Sequence, residues 1–153
     1  MIIRPYHPHD LSSVLKLFYE TVHTVNAADY HTDILNAWAP KELDTAQWHA
    51  TLSNNYTIVA ILDNSIVGFG TLHDLRYIHY LFVHMHFQGK KIGSMLFDAL
   101  EACARQHGIT TLKAEATITS KPFFERKGFR VIRSQTTQVK GHKLANFVME
   151  KKL

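Results

Sequence analysis

The chain has 153 residues, 46% of them apolar and 20% charged, with a formal net charge of +4 and one cysteine. That length is about one domain with room for a real core; a lone cysteine excludes an internal disulfide, and no apolar run is long enough to cross a membrane as a helix. The positive balance favours an anionic partner. However, only Lys90-Lys91, Arg126-Lys127 and Lys151-Lys152 are adjacent basic pairs, and without a basic stripe interleaved with aromatics no nucleic-acid partner is expected. The 11 histidines include His7-x-His9 and His84-x-His86, yet no cysteine pair, His-Glu-x-x-His or carboxylate cluster accompanies them, and no metal is expected. Met1 to Pro5 lacks the basic-then-apolar order of a secretory signal, so the expectation is a cytoplasmic protein with no membrane partner.

In chain order, Ile2 to Tyr6 reads as a short strand that Pro8 ends. Asp10 is the expected N-cap of a helix that turns Leu11, Val14, Leu15, Phe18 and Val22 inward and stops near Val25. Asn26 to Pro40 holds Tyr30, Leu35 and Trp38 in a short irregular helix, and Asp44 caps another helix through about Ser53. Tyr56 to Leu62 alternates as a strand, Asp63-Asn64-Ser65 is a turn, and Ile66 to Leu72 returns as its partner. The run from Tyr77 through Val83 is apolar, aromatic and β-branched, a buried strand, and it leads through a Gly- and Lys-containing turn into helical periodicity at Ile92, Met95, Leu96, Ala99, Leu100 and Cys103. Gly108 ends that helix. Thr110 to Thr117 is the next strand, Thr119 or Ser120 caps a short helix Lys121 to Lys127, and Phe129 to Val139 with Leu144 to Glu150 forms a closing antiparallel pair around Gly141.

The strand, turn and helix around Gly89 carry chemistry. At a helix N-terminus the first N–H groups lack intrahelical partners and the macrodipole is positive, so the amides of Gly89 to Ser94 can cradle a pyrophosphate, with Lys90 and Lys91 adding charge. The same spacing also serves plain turn and packing purposes, and it is neither a dinucleotide fingerprint nor a Walker loop. With Val83-His84 ahead of Gln88-Gly89-Lys90-Lys91-Ile92-Gly93-Ser94, the stretch resembles the acetyl-CoA signature Q/R-x-x-G-x-G/A of the GNAT N-acetyltransferase superfamily, Lys91 standing where the middle glycine usually is. Lys121-Pro122-Phe123-Phe124-Glu125-Arg126-Lys127-Gly128-Phe129 is similar to the family's late A-x-x-F-Y-E-x-x-G-F motif, and Ile3-Arg4-Pro5 with Asp10-Leu11 to its opening. Leu35 to Pro40 and Asn146 to Lys151 further resemble a bacterial subgroup of mostly uncharacterised members.

The resemblance covers essentially the whole chain. It implies one GNAT domain over 1–153, an α/β (α+β) fold with a central mixed, mostly antiparallel sheet flanked by helices. It implies acetyl-CoA as cosubstrate, with the pantetheine arm along Leu81, Phe82 and Val83, the pyrophosphate on Gln88 to Ser94, and Phe124 beside the sulfur. The acceptor it implies is the primary amine of a small molecule or peptide, attacking directly in a ternary complex; Tyr30 and Trp38 fall where the family builds one wall of the acceptor cleft, and a homodimer is compatible with it. An alkylamine with a pKa of about 10 must lose a proton. Glu115 matches a position that accepts it in some relatives, and His79 and Tyr77, sharing a strand face, are the other candidates, unless an already neutral amine needs only positioning. At Phe124 many relatives carry a tyrosine that protonates the departing thiolate; a phenyl ring cannot, so Tyr80, Ser120 or water supplies the proton or the thiolate leaves unassisted. A non-catalytic acyl-CoA sensor is the alternative.

Overall fold

The structure, a computed structural model, describes residues 1–153. The elements follow the sequence-based order: β1 (Ile2–Pro5), α1 (Leu11–Thr24), α2 (Thr32–Trp38), α3 (Thr45–Asn54), β2 (Tyr56–Leu62), β3 (Ser65–His73) and β4 (Tyr77–Val83), then α4 (Ile92–Gln106), β5 (Thr111–Thr117), α5 (Lys121–Arg126), β6 (Arg130–Val139) and β7 (His142–Lys152). The strands form one seven-stranded sheet in the order β1-β2-β3-β4-β5-β7-β6. Every neighbouring pair is antiparallel except β4 and β5, which α4 connects as a parallel crossover. Asp63 and Asn64, with φ of 51° and 63°, make the paired left-handed turn that suits a two-residue hairpin.

Each face of the sheet carries its own core. On one side Ile92, Leu96, Phe97, Leu100 and Cys103 of α4 pack with Ile58, Leu112, Ala114 and Met149 of the strands. On the other, Val14, Leu17, Phe18 and Val22 of α1 pack with Leu35, Leu52, Val59 and Phe69. Each fully buried large side chain contributes about 1.5–3 kcal/mol. The approach of α4 to β3 is close because β3 offers glycines: a Cβ on Gly68 would stand 2.9 Å from Leu96 Cδ1, and one on Gly70 3.0 Å from Leu100 Cδ1.

Two expected caps work differently. Asp10, 3% exposed, places no side-chain bond on the first turn of α1; its oxygens accept from Arg4 Nη1 and Nη2 at 2.8 and 2.9 Å and from the His7 N–H at 2.8 Å. A guanidinium within reach outcompetes a helix amide because its bonds are charge-assisted and bidentate. Ser120 precedes α5 but does not cap it; its hydroxyl is turned back to Thr117.

The register of β4 contains the feature that shapes the site. Thr71 pairs with Tyr80 but Leu72 pairs with Ile78, so His79 is the extra residue of a β-bulge. The bulge inverts the alternation: Ile78, Leu81 and Val83 all pack toward α4, whereas Tyr80 and Phe82 pack toward α1. The rings of His79 and Tyr80 lie 4.2 Å apart although the two are consecutive.

Candidate active site

β4 and β5 are paired only at Tyr77 with Lys113 and Ile78 with Ala114. Beyond that point they separate and border a cleft of about 860 Å³. Its lining draws on both sides of the sheet: Leu81, Val83, Ile92 and Phe124 belong to the α4 side, and Trp38, Tyr80, Phe82 and Leu144 to the α1 side. A cleft through a split sheet admits two reactants from opposite faces.

The α4 end gathers unpartnered backbone donors and positive charge. Because His84 donates its N–H to Val67 on the β3 side, strand alternation turns the N–H and C=O of Leu81 and Val83 toward the gap left by β5. Gln88 Nε2 holds the Val83 carbonyl at 2.6 Å. No backbone carbonyl accepts from the N–H groups of Gly89 to Ser94, and the positive end of the 15-residue α4 adds to their field. Gly89 takes φ 75°, and Lys91, the N-cap residue, takes φ 63° and ψ 15°, so a lysine adopts the left-handed backbone that glycine takes more readily. Gly93 has ordinary space instead: a Cβ there would meet Val83 Cγ2 at 3.5 Å and Phe123 Cε2 at 3.8 Å. Lys91, Arg126 and Lys127 supply positive charge to the lining; Lys127 Nζ donates to Ser94 Oγ and reaches Asp98 Oδ1 at 3.1 Å. Lys90 stands off the cleft, its ammonium 5.8 Å over the Phe87 ring.

At the split, Tyr77, His79 and Glu115 line the cleft together. Burial, the approach of His73 and, in opposition, the Glu115 carboxylate act on His79, and the net effect lowers its pKa below the ordinary imidazole value, so the ring is neutral at pH 7. Burial and then Glu115 raise the Tyr77 phenol, and burial pushes Tyr80 up to about 12; both stay protonated and can donate. Phe124, 4% exposed, meets Phe97 and Phe129 edge-on at 6.5 and 5.1 Å. One turn earlier Ser120 Oγ accepts from the Thr117 N–H at 2.9 Å and Thr117 Oγ1 at 3.0 Å, which leaves its own hydrogen free. Ser120 lines the cleft.

The two aromatics expected at the acceptor wall part company. Half-buried Trp38 lines the cleft and meets Phe18, Tyr30 and Phe82 at 6.0, 6.2 and 6.1 Å. Tyr30 lies outside the lining: its hydroxyl donates to the Ala145 carbonyl at 2.8 Å and accepts from the Ile118 N–H at 2.8 Å, tying the segment before α2 to β7 and to the turn after β5. Thr119 Oγ1 adds a bond to Asp29 Oδ2 at 2.8 Å. Sequence reasoning missed Arg126 and Lys127, whose signal was the basic pair inside the late motif. It also missed Thr21, Asn26 and Asn146, which also line the cleft and which only strand register and helix docking bring there.

Residues 26–153 match the acetyltransferase (GNAT) domain family. The chain is 31% identical over 150 residues to the uncharacterised N-acetyltransferase YafP of Escherichia coli, covering 98% of this chain and 95% of that protein. A crystal structure of a GCN5-related N-acetyltransferase, also described as a class-II aminotransferase, from Rhodopseudomonas palustris superposes with a TM-score of 0.97 at 33% identity, covering 99% of this chain and 95% of that one. The structure of yncA, a putative acetyltransferase from Salmonella typhimurium with acetyl-CoA, shares the fold at a TM-score of 0.75 and 19% identity, covering 100% and 94% of the two chains. A split sheet with a helix start of unpartnered N–H groups on one face, together with these matches along nearly all of its length, makes the chain a member of the GNAT N-acetyltransferase family and an acetyltransferase.

Proposed function

We propose that residues 1–153 act as a single domain that transfers the acetyl group of acetyl-CoA to the primary amine of a small molecule or peptide, by direct attack in a ternary complex. The observation that carries this reading is the parting of β4 from β5 after Ile78 and Ala114, which places a free strand edge beside the unpartnered N–H groups of Gly89 to Ser94. The backbone edge of Leu81 and the Val83 N–H suit the amide-bearing pantetheine arm as an added strand, with Gln88 already on the Val83 carbonyl. The turn from Gln88 to Ser94 suits the pyrophosphate, with Lys91, Arg126 and Lys127 as counter-charge. The thioester supplies an activated acetyl carbon; everything else is asked of the chain's own side chains.

The acceptor enters from the α1 face, past Trp38, toward Glu115 and His79. As the amine nitrogen forms its bond to the carbonyl carbon, the C–S bond breaks and one N–H proton must leave. Glu115, exposed to the cleft, takes that proton directly or through water, and neutral His79 is the rival acceptor. The thiolate takes the free proton of Ser120 or that of Tyr80, in place of the tyrosine that many relatives carry where Phe124 stands. The single cysteine, Cys103, buried and unpaired, fits a reducing cytoplasmic setting.

The test is a pair of substitutions at one position. Gly93→Ala has room for its methyl group and should bind acetyl-CoA nearly as wild type, whereas Gly93→Asp sets a carboxylate where the pyrophosphate lies and should weaken binding by about a hundredfold or more. Equal affinity of the two folded variants would remove the cofactor placement.

A further inference from the structure

The acceptor end of the cleft contains two buried polar atoms that the protein leaves without a partner, Asn146 Oδ1 and Thr21 Oγ1. Both residues line the cleft, at 5% and 3% exposure, one on β7 and the other on α1. Asn146 Nδ2 donates to Thr137 Oγ1 at 2.7 Å, so the free atom is the carbonyl oxygen, an acceptor. Its place relative to the chemistry follows from register: Asn146 pairs with Thr117 and its neighbour Val148 with Glu115, putting Asn146 diagonally across from Glu115 on the same sheet face. A native fold seldom buries an acceptor unpaired, because the lost hydration is not recovered until something donates to it.

The charges around these atoms are one-sided. Every Lys or Arg of the lining, Lys91, Arg126 and Lys127, belongs to the pyrophosphate turn or to the end of α5. The acceptor end has Glu115 as its carboxylate and otherwise neutral polar groups, Thr21, Asn26, Thr137 and Asn146 among them. Lys113, two residues before Glu115 on the same strand, is not part of the lining. A carboxylate or phosphate carried next to the reacting amine would be desolvated beside Glu115 with no counter-ion.

We propose that the acceptor is a small primary amine whose neighbouring substituents are uncharged hydrogen-bonding groups, hydroxyl or amide, with the amine directed at Glu115 and its neighbours held by Asn146 Oδ1 and Thr21 Oγ1. This rests on the transferase reading above. It sets amino alcohols and amino sugars apart from amino acids and phosphorylated amines.

Two matched pairs test it: serinol against serine, and glucosamine against glucosamine 1-phosphate, whose phosphate is on the carbon next to the amine-bearing one, compared at equal concentrations of free amine. Amine-dependent thiol release from acetyl-CoA gives kcat/KM, and NMR titration of the CoA-bound protein gives Kd. The neutral member of each pair is expected to lead by about tenfold or more, the size of an unpaired charge repelled at a few ångströms in a partly wet site. Asn146→Leu should raise the KM of the better amine by about tenfold while kcat and the acetyl-CoA Kd hold, because it removes uniform binding only. Parity within the pairs, a lead for the anionic members, or an unchanged KM in Asn146→Leu overturns the proposal while leaving a transferase in place. If none of the four amines releases thiol, the Kd ratios decide the ligand class alone, and failure of both neutral amines to bind the CoA-bound protein overturns the proposal.

Discussion

Lys91 separates two effects that coincide in one side chain. Its backbone sits at φ 63°, ψ 15°, a left-handed conformation that costs a non-glycine residue about 1–2 kcal/mol. Lys91→Gly removes that strain but adds about 0.5–1 kcal/mol of unfolded-chain entropy, so a net gain of about 0.5–1 kcal/mol is expected, which for a domain of this size raises Tm by about 1–4 °C. The same substitution deletes a charge beside the pyrophosphate turn. An ammonium about 6 Å from a phosphate at an effective dielectric constant of about 40 contributes about 1.4 kcal/mol, so the acetyl-CoA Kd should weaken by up to about tenfold, and by less as salt screens the pair. Lys91→Ala is the control: it loses the charge and keeps the left-handed backbone, so the same Kd penalty should come without the gain in Tm. Thermal unfolding and calorimetric titration at two salt concentrations read both. A lower Tm for Lys91→Gly would refute the strain argument, and a tighter Kd would mean that the side chain obstructs the phosphate rather than holding it.

Trp38→Ala should raise the acceptor KM severalfold and, because the ring also packs on Phe18 and Phe82, lower stability by about 2 kcal/mol; a fall in Tm with KM unchanged would reassign the ring to the core alone. If His79 is the proton acceptor, activity rises with pH through its folded pKa, which burial and His73 hold below the ordinary value; the acidic limb of kcat/KM then lies below pH of about 6.5 and disappears in His79→Gln. If Glu115 is the acceptor, His79→Gln leaves the acidic side of the profile as in wild type, and Glu115→Gln lowers kcat by about a hundredfold or more with acetyl-CoA affinity intact. Arg4 holds the Asp10 carboxyl below its usual range, chiefly by hydrogen bonding, so this stabilisation is complete above the unfolded value of about 3.9 and is lost as pH falls through the folded one. Asp10→Asn should cost about 2 kcal/mol at pH 7, with the difference from wild type closing in denaturant titrations below about pH 4.

What was legible in the sequence was local or repetitive. The helix period from Ile92 to Cys103, the Gly89 turn and the Phe124 motif each lie within one element or one connection, and each stands where expected. The bulge at His79 was not legible, because a bulge is a property of two paired strands, and the slip between Thr71 and Leu72 leaves no mark in the composition of β4. The same holds for Tyr30, whose hydroxyl bonds span 115 and 88 residues of chain, and for Asn146, which reaches the cleft only through the pairing of β7 with β5. Asp10 does stand at the N-cap position of α1, but its carboxylate goes to a guanidinium folded back from β1, a stronger partner than helix amides.

Incubating the protein with acetyl-CoA and an amine panel, and measuring free thiol together with the mass of the amine, tests acetyl transfer most directly. The account predicts thiol release that depends on both enzyme and amine, with one acetylated amine formed for each free CoA. Saturable binding of acetyl-CoA with no amine-dependent thiol release across the panel would contradict it.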